Sequence, residues 1–291
     1  MNDMAFIGAG RVAQTLSLAL STAGYSVTAF ASQRWASAQA LASRLPGCQA
    51  VSMQDAANHP MVFVTVSDDQ IAAVCTALQW RAGQSVVHCS GATELSALAA
   101  AATQGAEVGG FHPLQIFSDP QSALANLSGS SVAIEASPAL SATLHGMAQA
   151  LGMHPFALPP GSRAIYHASA GYAASFLLPL LHEAVQLWRL LGLDEKQALQ
   201  ALLPLARGTL NSVEQRGLAG ALSGPLSRGD LQVVKQHLQA LENLEGEHAA
   251  FYQWLTRRQW PLLIASGRAP TGAEQVWLAL LGARRNPDRG D

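Results

Sequence analysis

Apolar positions in the first half of the chain form short continuous runs, and these runs alternate with segments of helical spacing. Apolar runs bounded by glycine, serine or proline predict buried strands, whereas apolar residues every three or four positions predict amphipathic helices. The predicted strands are Met4–Ile7, Tyr25–Ala31, Ala50–Val51, Met61–Val66, Ser85–His88, Glu107–Gly110, Ser131–Glu135 and Met153–Ala157. The predicted helices between them include Arg34–Leu45, Thr93–Ala102 and one capped by Ser137. This alternation predicts an α/β fold with a doubly wound, mostly parallel Rossmann sheet.

The pattern changes at Leu158-Pro-Pro-Gly161, after which every apolar segment has helical spacing. One long helix is predicted from about Ser162 to Leu191. Further helices are predicted over Glu195–Val213, Asp230–Ala250, Phe251–Gly267 and Gly272–Leu281. We therefore expect a sheet domain over residues 1–158 and an all-α C-terminal domain over residues 159–291. Because clefts between domains are preferred binding sites, a substrate is expected there.

The first predicted strand runs into the turn Gly8-Ala9-Gly10 and then into a helix that begins at Arg11 and Val12. With Ala13 in third place, this turn is a dinucleotide-binding fingerprint. Gly8 permits the turn, and Gly10 lets the backbone approach a pyrophosphate. The free N–H groups of the first helical turn and the helix dipole favour negative charge. We therefore predict a dinucleotide site; the alternative is an ordinary turn in a fold that has lost its ligand.

The second strand indicates which dinucleotide is bound. NAD sites usually place Asp or Glu about 20 residues beyond the glycines, but no acidic residue occurs from Met4 to Gln54. Ser32 and Arg34 occupy the region instead, and the planar guanidinium of arginine matches a phosphate. This predicts NADP, unless Arg34 only starts a solvated helix. Val66, Ser67 and Ser90, which follow later strands, complete the predicted cofactor site.

The amino-acid composition indicates which partners and which cellular location to expect. Charged residues make up 12% of the chain, against about 25% in typical domains, and hydrophobic residues make up 49%. Such a chain can leave apolar surface exposed, so we expect a homodimer. A net charge of −2 without a basic block indicates no nucleic-acid partner. Three unpaired cysteines, no signal peptide and polar residues within the apolar stretch 172–193 predict a cytoplasmic protein outside the membrane.

Four segments together resemble a known family. They are His88-Cys-Ser-Gly-Ala92, Phe111-His-Pro-Leu-Gln115, Tyr166-His-Ala-Ser-Ala170 and Leu222-Ser-Gly-Pro-Leu-Ser-Arg-Gly-Asp230. The chain resembles, from Met4 to about Leu255, the bacterial Rossmann-like oxidoreductases that carry a C-terminal helical domain of unknown function. That family resembles a branch of the phosphogluconate dehydrogenase-like superfamily. Its relatives there include pyrroline-carboxylate reductases, ketopantoate reductases and deazaflavin-dependent NADP oxidoreductases. The resemblance implies an N-terminal NADP domain and a helical dimerisation domain, without naming a substrate.

The chain departs from one branch of that superfamily. β-Hydroxyacid dehydrogenases carry a catalytic lysine, with asparagine four residues later, on the first long helix. The corresponding positions here resemble Gly171 and Ser175. Neither residue replaces a lysine as proton donor, so lysine-based chemistry is not expected.

Hydride transfer to a carbonyl or imine requires a proton donor and groups that fix the substrate. Histidine can supply a proton near neutral pH. We expect His167, early on the long helix among small residues, to be the proton donor, with His112 as second candidate and Gln115 as a substrate contact. His88 is a further candidate, with a hydrogen-bonded core histidine as the alternative. A packing role for the helix around His167 and a loop role for His112 also stay open.

The predicted helical domain offers Asn211 and Arg228 as substrate contacts. Arg228 could hold a carboxylate in a two-pronged contact, or it could pair with Asp230 and hold the loop. In a dimer this loop could reach the partner's site. No His/Cys cluster has metal-ligand spacing, so no metal is expected.

The sequence thus predicts an NADP(H)-dependent oxidoreductase acting on a small carbonyl, imine or hydroxy acid. One alternative is a non-catalytic NADP-binding regulatory protein, which the missing lysine and asparagine favour. Another is hydride transfer between a deazaflavin and NADP, since small residues could admit a flat ring.

Overall fold

The computed structural model describes residues 3–269 and Trp277, and the predicted helix Gly272–Leu281 lies outside these residues except for Trp277. The chain divides into two compact units, Met1–Phe176 and Leu177–Asp291. The first unit therefore extends beyond the predicted boundary at residue 158.

The first unit contains one eight-stranded sheet with the order β3-β2-β1-β4-β5-β6-β7-β8. The strands are β1 (Met4–Ile7), β2 (Val27–Ala31), β3 (Gln49–Ala50), β4 (Met61–Val64), β5 (Ser85–His88), β6 (Glu107–Leu114), β7 (Ser131–Ala136) and β8 (His154–Ala157). All neighbouring strands are parallel except β6 and β7, which pair antiparallel. The predicted doubly wound, mostly parallel sheet is confirmed.

Helices cover both faces of this sheet. They are α1 (Arg11–Thr22), α2 (Trp35–Ala42), α3 (Met53–Ala57), α4 (Ile71–Ala77), α5 (Ala99–Thr103), α6 (Pro120–Ala125) and α7 (Pro138–Ala150). Leu16 of α1 and Leu144 of α7 belong to one core cluster, whereas Ala56 of α3 and Cys75 of α4 belong to another. Two separate cores show that apolar helix faces pack against the sheet from both sides.

Strand β6 differs from its prediction. It was expected to end at Gly110 but continues through Phe111, His112 and Pro113 to Leu114, because this extension pairs with β7. His112 therefore lies within a strand, opposite Ala133, and does not follow a strand end as expected.

The predicted single helix over 162–191 is wrong, because it is two helices, α8 (Arg163–Ala173) and α9 (Leu177–Leu190). Ala174 leaves the helical region at φ −122° and ψ −82°. Pro179 explains the break, since its missing N–H and its ring would disrupt a continuous helix but fit the first turn of a new one.

The second unit continues from α9 with α10 (Glu195–Ala221), α11 (Leu231–Glu242), α12 (His248–Arg258) and α13 (Trp260–Ala265). Asp194 caps α10 in a capping box with Gln197, and Asp230 caps α11 by accepting from the Val233 N–H. The core of this unit contains Leu226, Val234, Leu238, Leu263 and Trp277. A predominantly helical C-terminal region is thus confirmed.

Large apolar side chains are exposed on the helices that follow the sheet. Among them are Ile165 (79% exposed), Tyr172 (68%) and Leu178 (69%). The segment Arg163–Leu190 is the one stretch among the described residues that is long and apolar enough to cross a membrane, with a mean hydropathy of 1.2. Length and composition alone are a weak indication, since an apolar interface helix passes the same test.

Candidate active site

A cavity of about 240 Å³ adjoins the carboxyl ends of β1, β2 and β4, and we call it the nucleotide pocket. Its walls are formed by Gly8, Ala9, Gly10, Ser32, Gln33, Met53, Thr65, Val66, Ser67, Gln70 and Val74. None of these side chains is a carboxylate, as predicted for the end of the second strand.

Gly8 is required by both conformation and space. Its φ is +112°, and a Cβ atom built there would lie 2.6 Å from the carbonyl carbon and oxygen of Thr65. The Thr65 hydroxyl also donates to the Ile7 and Gly8 carbonyls at 3.2 Å. The turn after β1 therefore packs directly on the chain leaving β4, which fixes the floor of the nucleotide pocket.

Gly10 differs from Gly8 because it faces open space. A Cβ atom at Gly10 would find only the Thr65 carbonyl oxygen, 4.0 Å away. Gly10 is the N-cap of α1, and neither a side-chain cap nor an acidic residue occupies its first turn. The N–H groups of that turn are free to meet an anion, and a pyrophosphate can approach the backbone. These features fit a dinucleotide.

A second cavity of about 500 Å³ continues from the nucleotide pocket, and we call it the loop cavity. It shares Gly10, Thr65, Val66 and Ser67 with the nucleotide pocket and adds Arg11, Val12, Phe117 and Ser118. The Arg11 guanidinium donates to the Ser118 carbonyl at 3.1 Å. The loop after β6 thus forms part of the predicted cofactor region.

All the predicted cofactor residues except Arg34 and Ser90 line these two cavities. Arg34 is the N-cap of α2, and its N–H donates to the Ser32 hydroxyl at 3.3 Å. The Ser90 hydroxyl donates to Thr93 at 2.9 Å and accepts the Ala92 and Thr93 N–H groups. Ser90 therefore organises its own loop.

A third cavity, of about 420 Å³, contains both predicted catalytic histidines, and we call it the histidine pocket. Its walls are formed by His112, Leu114, Gln115, Ile116, His167, Ala170, Gly171, Ala173, Ala174 and Ser175. Gly171 and Ser175, the two positions compared above with the lysine and asparagine of β-hydroxyacid dehydrogenases, lie in the pocket wall.

The two histidines approach each other from a strand and a helix. Their ring centroids are 5.9 Å apart, and the His112 Nδ1 atom lies 2.7 Å from the Tyr166 hydroxyl. A Cβ atom at Gly91 would lie 2.6 Å from His167 Cδ2 and 2.8 Å from His112 Nε2. Gly91, in the loop after β5, thus allows both rings to come close to the backbone.

Burial keeps His112 uncharged at neutral pH. Desolvation, with smaller contributions from His167 and Arg163, lowers the pKa of His112 from 6.5 to about 4. Burial raises the pKa of Tyr166 to about 12, partly offset by Arg163. Tyr166 therefore keeps its proton and can donate to His112 Nδ1, which leaves the N–H of the neutral ring on Nε2.

His88 is a core histidine. It is fully buried, and its Nδ1 accepts the Ser90 N–H at 3.2 Å. Burial, followed by Arg163 and His112, lowers its pKa to about 3. Its Nε2 has no hydrogen-bond partner among the described residues. The hydrogen-bonded core alternative describes this residue better than a proton donor.

A buried ion pair lies behind the histidines. Arg163 is fully buried, and its Nε donates to Glu135 at 2.7 Å while its Nη1 donates to the Ser90 carbonyl at 2.8 Å. A Cβ atom at Gly110 would overlap the guanidinium, so glycine is needed there. This pair ties the first residue of α8 to β7 and so positions the helix that carries His167.

The predicted substrate contacts other than the histidines do not all belong to one unit of the chain. Gln115 lines the histidine pocket, but its amide already donates to the Asn126 carbonyl at 2.7 Å. Asn211 lies on α10 and Arg228 ends a 3₁₀ turn; both belong to the second unit and are exposed. No ion pair joins Arg228 to Asp230 within residues 3–269.

No group of three potential metal ligands occurs among the described residues.

Several residues of these cavities were not predicted. They are Gln33, Met53, Thr65, Gln70 and Val74 in the nucleotide pocket, Phe117 and Ser118 in the loop cavity, and Leu114 and Ile116 in the histidine pocket. Tyr166 was also missed, although it directly precedes His167 in a recognised motif. The ion pair of Glu135 could have been suspected from the sequence. Glu135 ends an apolar predicted strand, and a carboxylate that is buried requires a partner.

The chain matches two domain families in succession. Residues 2–113 match the Rossmann-like domain, and residues 130–259 match a domain of unknown function, DUF2520. This order confirms the resemblance to Rossmann-like oxidoreductases with a C-terminal helical domain. No curated protein matches the sequence.

Solved structures share this fold over nearly the whole chain. Protein TM1727 from Thermotoga maritima is 24% identical, with a TM-score of 0.74 over 91% of this chain and 99% of that one. BF3122 from Bacteroides fragilis, a candidate NADP oxidoreductase, is 23% identical, with a TM-score of 0.67 over 88% and 97%. An imine reductase from Pseudomonas sp. is 16% identical, with a TM-score of 0.64 over 95% and 99%.

Proposed function

Because this chain joins a Rossmann-like domain to a DUF2520 domain, we propose that it is an NADP(H)-dependent oxidoreductase. It transfers a hydride to or from a small carbonyl compound, imine or hydroxy acid. The similarity in fold to BF3122 and to an imine reductase supports this proposal.

The observation that carries the proposal is that one loop lines two cavities with successive residues. The loop after β6 lines the histidine pocket with Gln115 and Ile116, and the loop cavity with the next residues, Phe117 and Ser118. A dinucleotide on the first turn of α1 and a small molecule beside His112 would therefore share one loop. Hydride transfer requires this proximity of two reactants.

Cofactor binding is assigned to the residues of the nucleotide pocket and loop cavity. The backbone from Gly8 to Val12 would hold the pyrophosphate, and Ser32 with Arg34 would hold the 2′-phosphate. When bound, NADPH supplies a hydride, which leaves NADP⁺. The carbon of the substrate C=O or C=N bond gains that hydride, and its heteroatom gains a proton.

The histidine pocket is assigned the proton transfer. His167 is exposed within the pocket and would protonate the substrate heteroatom. His112, neutral and held by Tyr166, would orient the substrate through its Nε2–H. Replacing either histidine with glutamine should lower kcat, and a variant with unchanged turnover would exclude that histidine from the mechanism.

The proposed assembly is a cytoplasmic homodimer. Ile165, Tyr172 and Leu178 each expose apolar surface, which water disfavours. A second copy is the simplest way to cover such a surface, and most soluble oligomers are symmetric dimers.

The first test is a fluorescence titration of the purified protein with NADPH and then with NADH. We expect micromolar binding of NADPH and much weaker binding of NADH. Arg34→Glu should abolish this preference, because a carboxylate repels the 2′-phosphate. An unchanged NADPH/NADH ratio would exclude Arg34 from that contact.

Turnover separates the proposal from its alternatives. Oxidation of NADPH by members of a carbonyl and imine panel is expected. Tight NADPH binding without any turnover would instead favour a regulatory NADP-binding protein. Reduction of a deazaflavin, followed by absorbance, would favour the third function, for which the small residues of α8 leave room.

A further inference from the structure

The histidine pocket contains no fixed positive charge. Its polar side chains are His112, His167, Gln115 and Ser175, and the other lining residues are alanine, glycine, leucine or isoleucine. Neither arginine nor lysine is present among them. Since an anion that leaves water needs a cation or several donors, this composition does not suit a carboxylate or phosphate.

Arg163, the buried cation behind the pocket, makes its hydrogen bonds to other residues of the protein. Arg163 is fully buried and contacts the Glu135 carboxylate and the Ser90 carbonyl. Its remaining nitrogen, Nη2, is buried against Gly110 and has no partner among the described residues. Because that atom has no access to the pocket, Arg163 cannot bind a ligand there.

Two of the polar side chains in the pocket wall, Gln115 and His112, already have partners within the protein. The Gln115 amide donates to the Asn126 carbonyl, and its oxygen accepts the Ile116 N–H at 2.7 Å. His112 is neutral above about pH 4 and is bonded to Tyr166. Beside His167, the pocket therefore offers a ligand few hydrogen-bond groups and a largely apolar wall.

We propose that the histidine pocket takes a non-anionic substrate, a carbonyl compound or imine with a small apolar body and without a carboxylate or phosphate group. This rests on the proposed oxidoreductase function and narrows its substrate class, since it excludes the hydroxy acids. Among the sequence-predicted contacts, Arg228 then has no carboxylate to hold.

Ala170 is one of the small residues that leave room for the substrate body. It lines the pocket from α8, one turn beyond His167, together with Gly171, Ala173 and Ala174. A leucine at 170 would fill this space with apolar atoms and add no charge. Ala168 lies on the same helix, is exposed and does not line the pocket, so Ala168→Leu is its matched control.

The test uses two ligands that differ in one group, 4-oxocyclohexanecarboxamide and 4-oxocyclohexanecarboxylate. The full-length protein, saturated with NADP⁺, is titrated with each by calorimetry, and turnover with NADPH is measured in parallel. We expect the amide to bind at least about tenfold more tightly than the carboxylate. We expect Ala170→Leu to weaken amide binding by a similar factor, and Ala168→Leu to leave it unchanged.

Equal or tighter binding of the carboxylate would overturn the inference, and so would binding of neither ligand while NADP⁺ still binds. Amide binding that survives Ala170→Leu would also overturn it, because the ligand would then lie elsewhere. Selective amide binding would leave the pocket's preference standing even if no member of the carbonyl and imine panel were turned over, an outcome that would refute the proposed oxidoreductase function alone.

Discussion

At the scale of single residues, the two glycines of the turn after β1 have different surroundings. Gly8 needs glycine to fold, because its φ is positive and Thr65 lies against it. Gly10 has open space beside it, so the fold does not require glycine there, whereas the proposed cofactor would. One motif would thus separate a structural requirement from a ligand requirement.

Alanine substitutions should reveal this difference. Gly8→Ala should lower the free energy of unfolding by at least about 2 kcal/mol, since a positive φ and a backbone clash act together. Gly10→Ala should leave stability within about 0.5 kcal/mol and still weaken NADPH binding. Urea unfolding and fluorescence titration measure both quantities; a Gly8→Ala protein as stable as wild type would contradict this interpretation.

The buried histidines should make stability depend on pH. Burial lowers the pKa of His112 from 6.5 to about 4 and that of His88 to about 3. Below pH 6.5 the unfolded chain binds protons that the folded chain does not, so stability is present above that pH and is lost as pH falls. Between pH 7 and 5 the free energy of unfolding should drop by roughly 2–4 kcal/mol.

Urea unfolding at both pH values checks this loss. His112→Gln should reduce it, whereas His154→Gln, at an exposed position, should not. If the two variants lose the same free energy as wild type, His112 is not one of the groups responsible.

On the scale of elements, the ion pair between α8 and β7 differs from the surface pairs. Glu135→Gln would leave the Arg163 guanidinium buried without its charge partner. We expect it to lower the free energy of unfolding by about 3–5 kcal/mol. The exposed pair Arg189–Glu195 is the control, because solvent screens it. Glu195→Gln should cost less than about 1 kcal/mol, and equal losses in a denaturant titration would contradict the distinction.

Local elements could be predicted from the sequence, and elements set by distant contacts could not. β1, β5 and the start of α1 were predicted at their observed bounds because apolar runs and glycines are local signals. The extension of β6 depends on its pairing with β7, which the residues of β6 do not encode. For α8 and α9, helical spacing continues across the break, and Pro179 was the one local sign of it.

The candidate site follows the same rule. The glycine turn was predictable as a motif, and His112 and His167 were predicted individually. The Tyr166–His112 hydrogen bond and the closeness of Gly91 to both histidines join residues distant in sequence. Such contacts arise only when β5, β6 and α8 are placed together.

On the scale of the whole molecule, the exposed apolar helices predict self-association. Sedimentation at micromolar concentration should show a dimer. Leu178→Glu should shift it towards monomer, because a charge on an apolar interface is costly. Trp35→Glu replaces an exposed apolar side chain on α2 and should leave the mass unchanged. A monomeric wild-type protein, or a dimer that persists in Leu178→Glu, would exclude this surface.

The break between α8 and α9 also has a consequence for how the sequence can evolve. It falls where one compact unit ends and the other begins, and every residue that lines the nucleotide pocket, the loop cavity and the histidine pocket precedes Leu177, the first residue of the second unit. Mutations beyond residue 176 can therefore accumulate without changing any of these walls. Descendants of such a chain are free to diverge in their last helices while they retain one ancestral chemistry.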